Sequence, residues 1–384
     1  MDAVLSCMVT DSLGPGSLSD QLAGAVSEYL GIAGGIALRE RTRAFRMALD
    51  HLSLRPGSAV VVDPLLPHAY FAVLAERGLR SLVVDVDKAS LCMNAEQAGR
   101  VVTAAREEGT AVGAIVTHTT LGFVPRMDEL ASLGVPIIED ISEGIGANTG
   151  SERVGRFGRF VIVAMEPDGM ITAGGGSLLL AASRGDRNAL RRAASELPSD
   201  ALLPDMNAAL GITQIKEIEK FIARRAEVAS VYSRAIMRGR HSAPVQPGEA
   251  ENVYLAFPVL VEGRIADVTA YARKKGVECR RAFESSALER YGYAQREPAR
   301  VPGPQETGPQ ETVPQEPGAS PDRPSPGEEA DTQADPEARA TPSLHEADFP
   351  VARSLMLRCL IFPLYPSLTS KEVAAVERVL TTLP

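Results

Sequence analysis

Between residues 58 and 140, short β-branched runs alternate with longer amphipathic stretches, and this alternation restricts the chain to very few folds. SAVVVDP (58–64), SLVVDVDK (81–88), AVGAIVTHT (111–119) and VPIIED (135–140) read as strands, being short, apolar and bounded by Gly, Asp or Pro. LLPHAYFAVLAERG, AEQAGRVVTAAREEG and MDELASLG between them read as helices. Strands joined by helical crossovers lie parallel, and the helices cover both faces of the sheet. Two further apolar runs, 160–165 and 177–180, extend the pattern through GRFGRFVIVAMEPDG and MITAGGGSLLL. Asp140 falls where its strand ends, at the carboxyl edge along which open α/β sheets bind ligands.

With 384 residues the chain is long enough for two lobes, and its 45% apolar and 23% charged content is ordinary for a globular protein. The net charge of −9 argues against a nucleic-acid binder, which needs a basic face. No apolar run approaches the ~20 residues of a membrane span. No basic flank and apolar core open the chain, so a cleaved signal is not expected. Cys7, Cys92, Cys279 and Cys359 lie far apart, without metal-ligand spacing, as in reduced cytoplasmic proteins. A cytoplasmic location is therefore expected.

The order PIIED (136–140), then EPDG (166–169), then MITAGGGS (170–177) resembles the DegT/StrS family of sugar aminotransferases, part of the fold-type-I pyridoxal-phosphate class. Further resemblance lies in DMNAALGITQ (205–214), similar to the family's TDIQAALGLAQL, and in LIFPLYPSLTSKEVAAVERVL (360–380), similar to its LSLPLYPHLTEEEVDYVIEAL. The resemblance covers roughly residues 15–290 and 346–384. It implies a large domain with a mainly parallel sheet (1–220) and a smaller C-terminal α/β domain (221–294 and 345–384). Between the last two ranges, residues 295–344 are rich in Pro, Glu, Gln, Thr and Ser and repeat PQET, which predicts a disordered insertion.

The resemblance also implies a site, and there the chain departs from the family. In the family's HPTKNLTTGEGG the lysine carries pyridoxal phosphate as a Schiff base; here Gly169 takes that place, and no substitute base stands in the run. Asp140 matches the Asp that pairs with the protonated pyridine nitrogen, and Glu143 matches a Gln or Glu position. Capping the turn that follows is an equally good use for Asp140. The family's Ser-Gly-Thr at a phosphate-binding helix start becomes Glu40-Arg41-Thr42, so only Thr42 is retained. Arg41 would crowd a close backbone approach; Arg41 and Arg43 either grip an anion or belong to a solvated helix face. A phosphate-binding serine becomes Ala164, the cross-subunit NYRM segment becomes Asp200–Leu203, and no aromatic residue follows the first parallel strand, where His68 reads as structural. Lys216 and Lys220 fall on polar positions of a helix.

Two readings follow. One is a degenerate, non-catalytic homologue of nucleotide-sugar aminotransferases, with no covalently held cofactor, that binds a sugar nucleotide or pairs with an active paralogue. The other is a pyridoxal-phosphate-dependent transaminase acting on a keto nucleotide sugar in polysaccharide or cell-envelope synthesis. Sites of this class are built at subunit interfaces, so a homodimer or heterodimer is expected.

Overall fold

The computed structural model describes residues 2–11, 13–150, 152–292 and 344–384. Its larger sheet has seven strands: β1 (Gly34–Leu38), β2 (Ala59–Val62), β3 (Arg80–Val83), β4 (Val112–His118), β5 (Ile137–Asp140), β6 (Phe160–Ala164) and β7 (Ser177–Ala181). Their order is β1-β7-β6-β5-β4-β2-β3, parallel from β6 to β3, with β7 antiparallel to both β6 and β1. Around this sheet lie α1 (Asp2–Val9), α2 (Ser17–Leu30), α3 (Arg41–Leu52), α4 (His68–Glu76), α5 (Ala95–Glu107), α6 (Met127–Ser132), α7 (Arg184–Ser195) and α8 (Asp205–Lys216).

Both faces of the sheet are buried, which is why its strands lack polar alternation. In β2, Val60 and Val62 enter one core while Val61 enters the other; in β6, Phe160 and Ile162 oppose Val161 and Val163 in the same way. Each side chain so buried contributes roughly 1.5–3 kcal/mol. The long helix α9 (Ile218–Ile236) starts in the second of these cores, at Ile218, and ends in a third, at Tyr232 and Ile236. That third core lies between a small sheet, β8 (Phe257–Leu260), β9 (Arg280–Arg281) and β10 (Cys359–Phe362), and the helices α9, α10 (Ile265–Lys274) and α12 (Ser370–Thr381). Helix α11 (Pro350–Arg358) leads into β10.

By its pattern, 17–55 reads as helical with a break at Gly34-Gly35 and a near capping box at Ser17–Asp20, and the structure changes both points. Residues 34–38 form edge strand β1, because Gly35 lets the backbone press against β7: a Cβ there would lie 1.9 Å from the Leu179 carbonyl oxygen. Helix α2 is not capped by a box at Ser17–Asp20; Asp205, at the start of α8, accepts from the Ser19 amide at 3.0 Å instead. The predicted insertion lies outside the described residues except for Leu344, which is buried in the first core.

Candidate functional site

A cavity of about 580 Å³ opens at the carboxyl ends of β2, β4, β5 and β6, lined among others by Arg41, His118, Asp140, Glu143, Gly169 and Arg280. Through Asp168, Gly169 and Arg280 it adjoins a cleft of about 900 Å³ that reaches β10 and α12. Asp168 and Arg280 form an ion pair at 3.2 Å at that junction. Parallel strands all end on this edge, so the polar residues after each apolar run converge although far apart in the chain.

Asp140 is 3% exposed and saturated by its own chain. Tyr70 donates its hydroxyl to Oδ2 at 2.7 Å, and the Ser142 amide donates to Oδ1 at 3.0 Å. The Ser142 hydroxyl also donates to Oδ1 and accepts from the Ala164 amide at 2.7 Å, tying β5 to β6. Arg41 Nε lies 4.0 Å from Oδ2. Tyr70 is held in place by stacking on Phe45 of α3, ring centroids 4.3 Å apart. Burial, reinforced by the Asp140 charge, pushes the Tyr70 phenol well above its ordinary pKa, so it remains a donor. Burial works against the Arg41 charge, but Asp140, Tyr70, Glu143 and Glu166 outweigh it and raise the guanidinium's pKa. Asp140 thus holds the turn after β5 through Ser142 and lines the cavity with Arg41 beside it.

Glu143 also lines the cavity, and its Oε2 accepts from the Leu121 amide at 2.7 Å. That bond holds the loop after β4, where Leu121 has a φ of 53°, the left-handed region that a leucine seldom adopts. Thr42 is half-buried in the first turn of α3 and is not among the cavity's lining residues. Residues 200–203, matched to the cross-subunit segment, run beside β1 through a Leu38–Leu202 bridge. His68 opens α4 and lines the cavity, its ring against the Ser285 carbonyl at 3.1 Å.

One group escaped the sequence reading. His118, the last residue of β4, lies with Nδ1 3.3 Å from Asp63 Oδ2 at the end of β2, and its Nε2 is 2.9 Å from the Thr120 hydroxyl. Among the described residues, neither Asp63 Oδ2 nor His118 Nδ1 has any other partner. Burial opposes the imidazolium, but Asp63 chiefly, with Glu143 and Asp140, raises the His118 pKa above its ordinary 6.5. The signal was present in two polar residues directly following β-branched runs, on strands that pair in parallel.

The fit to a Schiff-base cofactor is tested by the lysines. All six in the sequence, Lys88, Lys216, Lys220, Lys274, Lys275 and Lys371, are exposed, and none lines this cavity. Gly169 sits in a tight turn, its amide donating to the Glu166 carbonyl at 3.0 Å. A Cβ there would lie 2.9 Å from the Ile171 oxygen and 3.2 Å from that of Glu166. The residues present do not fit a cofactor held through a lysine. Among the described residues no cluster has metal-ligand geometry, and no helix is long and apolar enough to cross a membrane.

The mainly parallel sheet, the cavity at its carboxyl edge and the separate small sheet define an α/β fold of the fold-type-I pyridoxal-phosphate transferase kind. The chain belongs to the DegT/DnrJ/EryC1/StrS aminotransferase family, whose pattern matches residues 1–307. It is 22% identical over 264 residues to the UDP-4-amino-4,6-dideoxy-N-acetyl-beta-L-altrosamine transaminase of Campylobacter jejuni (strain 81-176), covering 64% of this chain and 69% of that one. It is 23% identical over 258 residues to the GDP-perosamine synthase of Caulobacter vibrioides, covering 62% and 67%. Across eight curated relatives the chain spans 58–69% of their length. The crystal structure of a DegT/DnrJ/EryC1/StrS aminotransferase from Brucella abortus superposes with a TM-score of 0.79 at 20% identity, covering 99% of this chain and 93% of that one.

Proposed function

We propose that this chain is a non-catalytic member of its family that keeps the fold as a binding scaffold. The observation that carries this reading is the absence of any lysine from the Asp140 cavity, all six lysines being at the surface. Aldimine chemistry needs an amine at the reacting carbon and a base for the proton transfer, and a lysine supplies both. Gly169, in the family lysine's place, supplies neither, and its turn is too tight for a β-carbon. Residues 1–220 form the large domain in this reading, and 221–294 with 345–384 the small one. The retained cavity and cleft are wide enough for a sugar nucleotide, and the relatives' names include a transaminase of a UDP-linked amino sugar and a GDP-perosamine synthase. The partner is a second copy or an active paralogue whose site this chain completes.

Family membership favours the second reading, an active pyridoxal-phosphate-dependent transaminase of a keto nucleotide sugar in polysaccharide or cell-envelope synthesis. Borohydride reduction in the presence of pyridoxal phosphate, followed by intact mass, separates the two. The binding reading expects no adduct at any buried position; a stoichiometric lysine adduct with turnover of amino donor and keto sugar overturns it.

A further inference from the structure

The missing lysine closes only the covalent route. Pyridoxamine phosphate, the amine form of the cofactor, needs no lysine, and its ring nitrogen would still seek a buried carboxylate. Asp140 is the candidate, and its surroundings decide the matter. A carboxylate 3% exposed must be compensated by donors or a cation, and here every donor comes from the chain itself. Oδ1 takes the amide and hydroxyl of Ser142, while Oδ2 takes the Tyr70 hydroxyl and faces Arg41 Nε at 4.0 Å.

Arg41 is the first residue of α3, directly after the turn from β1, and its side chain is 24% exposed. It lies in the field of Asp140, Glu143 and Glu166, all of which line the cavity. The guanidinium is therefore the counter-ion of an acidic pocket rather than part of a solvated helix face. A second cation approaching Asp140 has to displace it and then remain beside it, a like-charge arrangement in a site of low dielectric.

We infer that Arg41 closes the pocket from within, supplying as a side chain the cation that Asp140 would otherwise take from a ligand. This rests on the non-catalytic reading above and goes beyond it: the wild-type protein excludes the amine form of the cofactor as well as the aldehyde. Ligands that do bind engage the cavity without a cationic ring on Asp140, through its rim and the adjoining cleft.

The test is a calorimetric titration of the full chain with pyridoxamine phosphate, for wild type and for Arg41→Gly. Wild type should show no saturable binding up to about 1 mM, and Arg41→Gly should bind at least about tenfold more tightly. Thermal melts show whether the glycine variant folds; if it does not, Arg41→Met, which keeps the stem and removes the charge, replaces it with the same expected gain. Micromolar binding by wild type overturns the inference, as does a folded variant with no gain. These failures are separable from failure of the functional reading, which is decided by the borohydride adduct: reversible binding without an adduct sinks only the role of Arg41.

Discussion

Stability should fall as pH rises from about 5 to about 8, and Glu139 sets the scale. Glu139 precedes Asp140 on β5 and points to the opposite side of the sheet, where it accepts from the Gly155 and Phe157 amides, each at 2.8 Å, and from the Gly158 amide. Burial raises its pKa from 4.5 to about 7, the three amides only partly offsetting this. The folded chain thus holds this proton more tightly than the unfolded chain. The contribution is complete below pH 4.5, where both states are protonated, and is lost as pH rises through about 7. At about 1.4 kcal/mol per pH unit, the loss amounts to about 3 kcal/mol. His118, whose pKa is also raised, adds to the same downward slope above pH 6.5. His241, lowered by burial, opposes it around that pH. Asp186 and Glu372, both lowered, act below about pH 4.5, outside the window. Urea unfolding at half-unit steps from pH 5 to 8.5 measures the slope. Glu139→Gln should flatten it, leaving the histidine part. Stability that is level or rises across the window, or a slope unchanged in Glu139→Gln, refutes the reasoning.

Three further outcomes follow from particular contacts. Tyr70→Phe removes a charge-assisted bond to buried Asp140 and should lower unfolding stability by about 1.5–3 kcal/mol in urea titrations, with near-ultraviolet circular dichroism preserved. Gly169→Ala places a β-carbon against two carbonyl oxygens and should cost about 1–3 kcal/mol, and Gly169→Lys should cost at least as much without restoring transamination in a coupled amino-donor assay. Arg225 donates Nη1 to the carbonyls of Tyr254, Leu255 and Leu364 at 3.0, 2.7 and 2.6 Å, joining the segment before β8 to the one after β10. Arg225→Met should therefore raise hydrogen exchange around residues 254–255 and 364 selectively.

The strands β2 to β7 are legible in the chain as short apolar runs, and those inside the sheet are continuous because it is buried on both faces, as in VVV, AIV, II, FVIVA and SLLL. Strand β1 is not, because GGIAL between two helical patterns carries too few side chains to show a period; its pairing with β7 depends on a close backbone approach that only three-dimensional packing reveals. Asp140 was legible as the residue ending a buried strand. The Asp63–His118 pair was not, since its members lie on different strands and parallel pairing alone brings them together. Arg41 illustrates the limit most sharply. Its position at a helix start was evident, but its placement 4.0 Å from Asp140 depends on a cavity lined by segments far apart in the chain.

The central claim, that this fold works without a Schiff base, is met most directly by one spectrum. Purified protein mixed with pyridoxal phosphate, desalted, reduced with borohydride and weighed intact should show no aldimine absorbance band and no added mass at a buried residue. A band that reduction fixes to a lysine in stoichiometric yield would contradict the account and return the chain to the active transaminases of its family.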